Sequence, residues 1–310
     1  MKYIKFSNFP PDLNPEDNIY IDAIKDIEPD LYKKRNIHFY GCYPKIKFIQ
    51  KAPAYLFSKI SNIGMVSWLN NQQGIVEPEN INDFNIWVTF ENRRPPHQFF
   101  DLTISFDIDD YQGTNLYFPL IFQYMNVKSS NNNYSKHNIS PYQATQKRII
   151  PDRILFNKKK FMVSFINNPH PTRLRAQNQL SKIGSIVEYG RSVNNYAKDK
   201  ILTTEEFWFS LCFENDLYPG YVTEKALEAW LGWSIPLYWG SDANNILNQN
   251  ALINLANFPS MEDFADFVSN LYKDKDRMIE ILNQPILNKE FKYQNLVEFI
   301  SAGLRKKFYP

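Results

Sequence analysis

The stretch of this chain richest in chemistry-bearing side chains is Phe213-Glu214-Asn215-Asp216-Leu217-Tyr218-Pro219-Gly220-Tyr221-Val222-Thr223-Glu224-Lys225. An apolar strand stops at Glu214, Pro219-Gly220 makes a turn, and a helix is expected from near Val222 with Thr223 as its cap. A helix N-terminus presents unpaired N–H groups and a partial positive charge, which suit an anionic phosphate. Lys225, in that first turn, opposes the dipole, and a bound anion would offset the conflict. The same Glu224-Lys225 pair also reads as an exposed ion pair at a helix start.

A second candidate is Glu91, at the end of the apolar run Ile86–Phe90 and followed by Arg93-Arg94. A carboxylate there could take a proton if partial burial raised its pKa, or it could simply pair with the arginines at the surface. Asp107-Ile108-Asp109 has the spacing of an Asp-x-Asp metal motif, but a metal needs several converging oxygens, which the spacing alone does not supply. The four histidines, His38, His97, His137 and His170, show no ligand spacing; His97 and His170 fall near Glu91 and Arg173 in sequence and are expected on surface loops.

These residues need elements to position them. In the first half, Ile37–Tyr40, Ile86–Phe90 and Leu102–Phe106 read as short strands, with Ala54–Ile60 and Met65–Leu69 as possible helices between them. The run Lys128–Ser140, with Ser129-Ser130-Asn131-Asn132-Asn133, is the most linker-like in the chain. Beyond it strand and helix alternate. Phe161–Phe165, Ile186–Tyr189, Phe207–Phe213 and Ile235–Trp239 are the strands, and Thr172–Ile183 and Val222–Leu231 the helices, a pattern of βαβ units on a parallel sheet. Ser260 with Asp263 caps a helix over Met261–Leu271, and a last amphipathic helix over Leu296–Lys307 ends in Arg305-Lys306-Lys307-Phe308-Tyr309. The expected division is a first domain over 1–150 and a second over 151–310, the C-terminal helix packing back on the first or touching a membrane surface through its basic-aromatic end.

Composition bounds the rest. The chain has 310 residues, 44% hydrophobic and 16% aromatic, enough for two packed cores and too apolar for a disordered chain. Its 35 basic and 33 acidic residues leave a net charge of +2, which argues against a nucleic-acid binder. The densest basic run, Lys158-Lys159-Lys160, is expected to be a solvated linker. Cys42 and Cys212 lie far apart in apolar stretches, as buried free thiols of a reducing compartment would. With no signal-type segment and no run of ~18 apolar residues, a cytoplasmic protein is expected.

Phe213–Lys225, followed by Ile235-Pro236-Leu237-Tyr238-Trp239-Gly240-Ser241, closely resembles the donor-binding signature of the α1,3/4-fucosyltransferases, glycosyltransferase family 10, in its bacterial form. The resemblance extends to Asn168–Leu180 with Arg173, to Gly190-Arg191, Asn194-Asn195 and Lys200, and in the first half to Thr89-Phe90-Glu91-Asn92, Ser105-Phe106-Asp107 and Pro119-Leu120. Phe90 stands where the family usually carries glycine. The resemblance implies two Rossmann-like α/β domains facing a cleft, the GT-B-like fold, with 1–150 binding the acceptor and 151–310 the nucleotide-sugar donor. It implies transfer of L-fucose from GDP-β-L-fucose to a glycan acceptor such as N-acetyllactosamine, inverting the anomeric centre to an α1,3 or α1,4 linkage. The donor would be bound by Arg173, Asn215, Tyr221, Glu224 and Lys225; Arg173 and Lys225 would neutralise the departing diphosphate, and Glu91 would be the base. No cofactor or metal is implied. Another nucleotide-activated deoxyhexose as donor, or a non-catalytic carbohydrate-binding relative, are the competing readings.

Overall fold

The computed structural model describes residues 3–10, 13–42, 77–129, 134–167 and 169–309. The proposed helices at Ala54–Ile60 and Met65–Leu69 lie outside them. The chain divides into two compact units. The first takes in Met1–Ser105, Asp109–Tyr117 and Leu296–Pro310; the second takes in Phe106–Ile108 and Phe118–Asn295.

In the first unit, β1 (Ile4–Ser7), β2 (Ile37–Gly41), β3 (Phe84–Val88), β4 (Leu102–Ser105) and β5 (Asn115–Tyr117) form a parallel sheet in the order β1-β2-β3-β4-β5. β2 and β3 are buried along their whole length, which is why their β-branched and aromatic residues run almost without polar interruption. The helix Tyr293–Phe308 belongs with this sheet. It packs so closely that a Cβ on Gly303 would meet Leu102 Cδ1 at 2.6 Å and Phe84 Cζ at 2.9 Å. Of its basic end, Lys307 is tied down, its Nζ donating to Asp101 (2.7 Å) and to the carbonyls of Ile81 and Asp83, while Arg305 pairs with Glu28 at the surface, 2.7 Å apart.

In the second unit, β6 (Lys160–Phe165), β7 (Ile186–Tyr189), β8 (Phe207–Phe213), β9 (Ile235–Trp239) and β10 (Ile253–Asn254) form a parallel sheet ordered β10-β9-β8-β6-β7. The chain builds β6, places β7 on one side, then crosses to β8 on the other. The order therefore reverses between β6 and β8, where open α/β sheets hold ligands beyond their carboxyl ends. No such reversal occurs among the described strands of the first sheet. Helices Pro171–Leu180, Met261–Tyr272 and Lys275–Leu282 contribute Ala176, Leu180, Phe264, Val268, Met278 and Leu282 to a core with Phe209, Phe213 and Leu237. Each fully buried side chain of this size contributes about 1.5–3 kcal/mol. Ser260 caps Met261–Tyr272 as the sequence suggests, accepting from Asp263 N at 3.0 Å.

Three expectations need correction. The passage between the units falls near residue 118, not 150. Phe118 and Phe122 pack on Phe291 with ring centroids 4.6 and 5.4 Å away, and Ile150 and Ile154 lie in the second core. The run Lys128–Ser140 is not a linker in its described part, because His137 N donates to Tyr124 O and Asn126 N to Ile139 O. Lys158 is buried, not solvated. Its ammonium donates to the carbonyls of Phe207 (2.6 Å) and Glu205 (3.2 Å), and burial pushes its pKa down to about 7.

This lysine gives a pH prediction. Its folded pKa lies below the 10.5 of a free lysine, so between pH 7 and 10.5 the unfolded chain holds more protons than the folded one. Folding stability therefore rises through that window, by up to about 1.4 kcal/mol per pH unit from this group. Urea melts at pH 7 and 10 should show the gain in the wild type, and Lys158→Met should lose that increment. An equal pH slope in both proteins would contradict the assignment.

The two thiols are free and buried, Cys42 pushed up to about 11 and Cys212 to about 12 by burial. Among the described residues no helix is long and apolar enough to cross a membrane.

Candidate nucleotide-sugar site

A cavity of about 210 Å³ opens where the second sheet reverses. Phe165 at the end of β6, Ser210–Cys212 of β8 and Arg173 from the helix after β6 line it, with Asn215, Glu224, Lys225 and Lys200. Four of the five expected donor contacts thus meet in one place. Tyr221 does not line the cavity; it is buried with its ring 5.2 Å from Phe106.

Arg173 sits in the first turn of the ten-residue helix Pro171–Leu180, whose N-cap is His170, accepting from Thr172 N through Nδ1 at 3.3 Å. The arginine is buried and its guanidinium is aimed at strand ends, donating to Phe213 O (2.7 Å from Nη2, 3.2 Å from Nε) and to Asn215 Oδ1 (2.7 Å). Desolvation lowers its pKa, while Glu214, Tyr221 and Glu224 raise it. A guanidinium stays charged in such a setting, so the cavity carries a fixed cation at its wall.

Lys225 is arranged differently from expectation. The helix begins at Lys225 and ends at Leu231, with Glu224 at the N-cap, making no side-chain cap bond. Thr223 is not the cap: its N–H and its hydroxyl both go to the carboxylate of Glu214, at 2.8 and 2.7 Å. Lys225 Nζ donates to the same carboxylate at 2.9 Å and to Thr223 Oγ1 at 2.8 Å. The anion that offsets this cation at a helix start is therefore Glu214, fully buried beyond β8. An ammonium has three N–H groups, so one remains for a ligand. Burial pulls the Lys225 pKa down, but Glu214 and Glu224 outweigh it and hold it above the ordinary lysine value.

Lys200 completes the set. Gly190 has φ +136°, and a Cβ there would stand 2.0 Å from Ile166 O, so only glycine lets this loop cross the end of β6 so closely. The loop leads to Lys200, whose ammonium lies 5.5 Å from the Phe165 ring centroid and donates to Glu228 at 3.1 Å. Glu228 also accepts from Lys136 at 2.9 Å and contacts His137 at 3.3 Å. These contacts and Lys200 hold its pKa far below the usual carboxylate range despite its burial. Beside Lys200, Phe165 and Tyr189 stack at 5.3 Å on a smaller crevice that also meets Asn167, Gly190 and Tyr196.

Glu214 and Lys200 entered the sequence reading only as members of the resembling motifs, with no role of their own, and Glu228 was not singled out. The signal for Glu214 was present: a carboxylate directly after seven apolar or small residues of a buried strand must find a cation or a donor. Glu228 and its partners Lys136 and His137 are about 90 residues apart, beyond any local pattern.

Glu91 belongs to the first unit and is exposed, not partly buried. β3 ends at Val88, two residues short of the expected strand, and Glu91 lies in the bend that follows. Phe90 needs no glycine-like conformation, since its φ is not positive; its N–H meets Cys42 Sγ at 3.3 Å and its ring packs edge-on to Phe9. Asp107 is buried and accepts the Tyr218 hydroxyl at 2.7 Å, and Asp109 accepts Tyr111 N at 2.8 Å, so the two carboxylates are engaged in separate structural bonds. His97 stacks on Tyr111 at 3.9 Å.

The two parallel α/β sheets have the GT-B fold. The chain superimposes on a crystal structure of an α1,3-fucosyltransferase with GDP-fucose at TM-score 0.65 and 19% identity, covering 97% of this chain and 89% of the other. Residues 155–283 match the description "Glycosyltransferase family 10 (fucosyltransferase) C-term". It is 28% identical over 241 residues to the alpha-(1,3)-fucosyltransferase FucT of Helicobacter pylori, covering 68% of this chain and 50% of that protein. A putative fucosyltransferase of Acanthamoeba polyphaga mimivirus is 27% identical over 254 residues, covering 76% of this chain and 39% of that protein. The chain thus spans half or less of the length of these relatives.

Proposed function

We propose that this protein transfers L-fucose from GDP-β-L-fucose to a hydroxyl of a glycan acceptor of the N-acetyllactosamine kind, with inversion, giving an α1,3 or α1,4 linkage. The observation that carries the reading is the meeting of Arg173, Lys200 and Lys225 on one cavity beyond the strand ends of the stretch that matches the family 10 description. Cleavage at the anomeric carbon leaves charge growing on the diphosphate. Cations already in place favour that transition state over the ground state. Counting Lys136, four cations meet three carboxylates, Glu214, Glu224 and Glu228, so the carboxylates hold the lysines in position and leave a small positive excess. The stacked Phe165–Tyr189 wall beside Lys200 suits a flat heterocycle. Glu91 is the acceptor's base in this reading, and Glu224 the partner of sugar or ribose hydroxyls. The deciding assay is GDP-fucose with lactose and N-acetyllactosamine, with other nucleotide deoxyhexoses as competing donors and product mass as readout; no fucosylated product from any acceptor would reject it.

Two expected outcomes follow. Arg173→Ala should weaken GDP binding by about 1.5–3 kcal/mol, the scale of a charge-assisted hydrogen bond. Calorimetry with unchanged affinity would remove Arg173 from the site. Because protein cations serve the leaving group, transfer should survive a chelator. Activity lost in chelator, restored by manganese and abolished by Asp107→Ala or Asp109→Ala would replace this reading with a metal-dependent one.

A further inference from the structure

We propose that the pocket along the edge strand β10 is a binding site for a neutral saccharide, separate from the cavity at the ends of β6 and β8. It has a volume of about 460 Å³ against about 210 Å³ for the other cavity, and the two share no residue. That volume is within the ~300–1,000 Å³ of small-molecule sites.

Its lining is what a sugar requires. Gln249, Asn250, Asn257 and Gln284 present side-chain amides. Each amide both donates and accepts, as each sugar hydroxyl does. Phe258 and Phe267, half-buried and 5.2 Å apart, supply the apolar surface on which the CH face of a pyranose packs. The Arg277 guanidinium lies 5.1 Å from the Phe267 ring centroid, and Glu280 is the one carboxylate in the lining. With one charge of each sign the pocket has no excess cation for a phosphate and no carboxylate cluster for a metal.

The walls are also held in place. Asn248 and Asn254 are buried and lock the backbone around β10. Asn248 accepts from Asn250 N at 3.0 Å and donates to Pro285 O at 2.8 Å, while Asn254 accepts from Ala256 N at 3.1 Å. Phe258 is fixed against Phe264 of the core, ring centroids 5.4 Å apart. The backbone that carries Gln249, Asn250 and Asn257 is therefore fixed, which lowers the ordering cost of a weak ligand. For a protein that works on glycans, such a site would hold a second stretch of an extended acceptor, but saccharide binding here does not depend on the reaction proposed above.

The test is a titration of the full ¹⁵N-labelled chain with lactose, a neutral disaccharide, followed through the side-chain amide signals. The signals of Asn250 and Asn257 should move saturably. Asn257→Ala and, separately, Phe267→Ala should each weaken binding about fivefold, the scale of one net hydrogen bond, with GDP affinity unchanged. Phe267 packs partly on the core, so the exposed Asn257 keeps the test valid if Phe267→Ala unfolds. Three results would overturn the proposal: amides that stay still throughout the titration, a response confined to Asn215 in the other cavity, or movement of these amides with GDP instead of lactose. A failed transfer assay with a positive titration would reject the reaction and leave this site standing.

Discussion

Glu91→Gln should lose transfer by roughly 10²–10⁴-fold, the range for removing a general base, while binding GDP as the wild type does. The amide keeps the shape of the carboxylate but cannot take a proton at neutral pH. The contacts that hold Lys200 and Lys225, to Glu228, Glu214 and Thr223, do not involve Glu91, so the substitution leaves them in place. Its exposure adds a second expectation: with little native packing to lose, Glu91→Gln should melt within about 0.5 kcal/mol of wild type, as surface substitutions do. Kinetics and calorimetry on one preparation check both. Transfer at the wild-type rate would make Glu91 a surface partner of its arginine-rich loop and send the search for the base elsewhere.

The difference between Glu91 and the donor residues also shows what was legible in the sequence. β7, β8 and β9 have the bounds the sequence predicts: β8 and β9 are buried parallel strands that read as apolar runs, and β7, a partly buried edge strand, is marked by its β-branched and aromatic residues. β1, β5 and β10 were missed. They have four, three and two residues, too few for a period to show, and each is defined by its partner strand. The cavity's composition was legible as a motif, but its internal pairing was not. Lys225 sitting at a helix start looked like a request for a phosphate, and the geometry answers it with Glu214. Lys158 misled for the opposite reason: three lysines in a row resemble a solvated run, and only the carbonyls at the start of β8 show that the first of them is inside. Charges that pair across long sequence separations leave no local trace.

Glu214 carries the other large expected effect, on stability. Its carboxylate is fully buried and receives Thr223 N, Thr223 Oγ1 and Lys225 Nζ, all within 2.7–2.9 Å. Glu214→Ala removes every one of these acceptors and strands an ammonium that is only 22% exposed. Breaking a buried pair by deleting one partner costs about 3–5 kcal/mol, a large share of the roughly 5–15 kcal/mol that holds a domain folded. Glu214→Gln should cost less, since its carbonyl oxygen can still accept from Thr223 N while the charge is gone. Removing the cation as well should recover much of the loss: Glu214→Gln with Lys225→Met should be more stable than Glu214→Gln alone, because no uncompensated charge is left inside. The pH dependence has a definite sign. Lys225 is held above the ordinary lysine value, so its contribution is complete below about pH 10.5 and is lost as the pH rises through its folded pKa. Urea unfolding of the wild type and these three variants at pH 8 checks the order. A Glu214→Ala chain as stable as wild type, or a double variant no better than Glu214→Gln, would mean that Lys225 is held by solvent and Glu224 and that the buried carboxylate has another task.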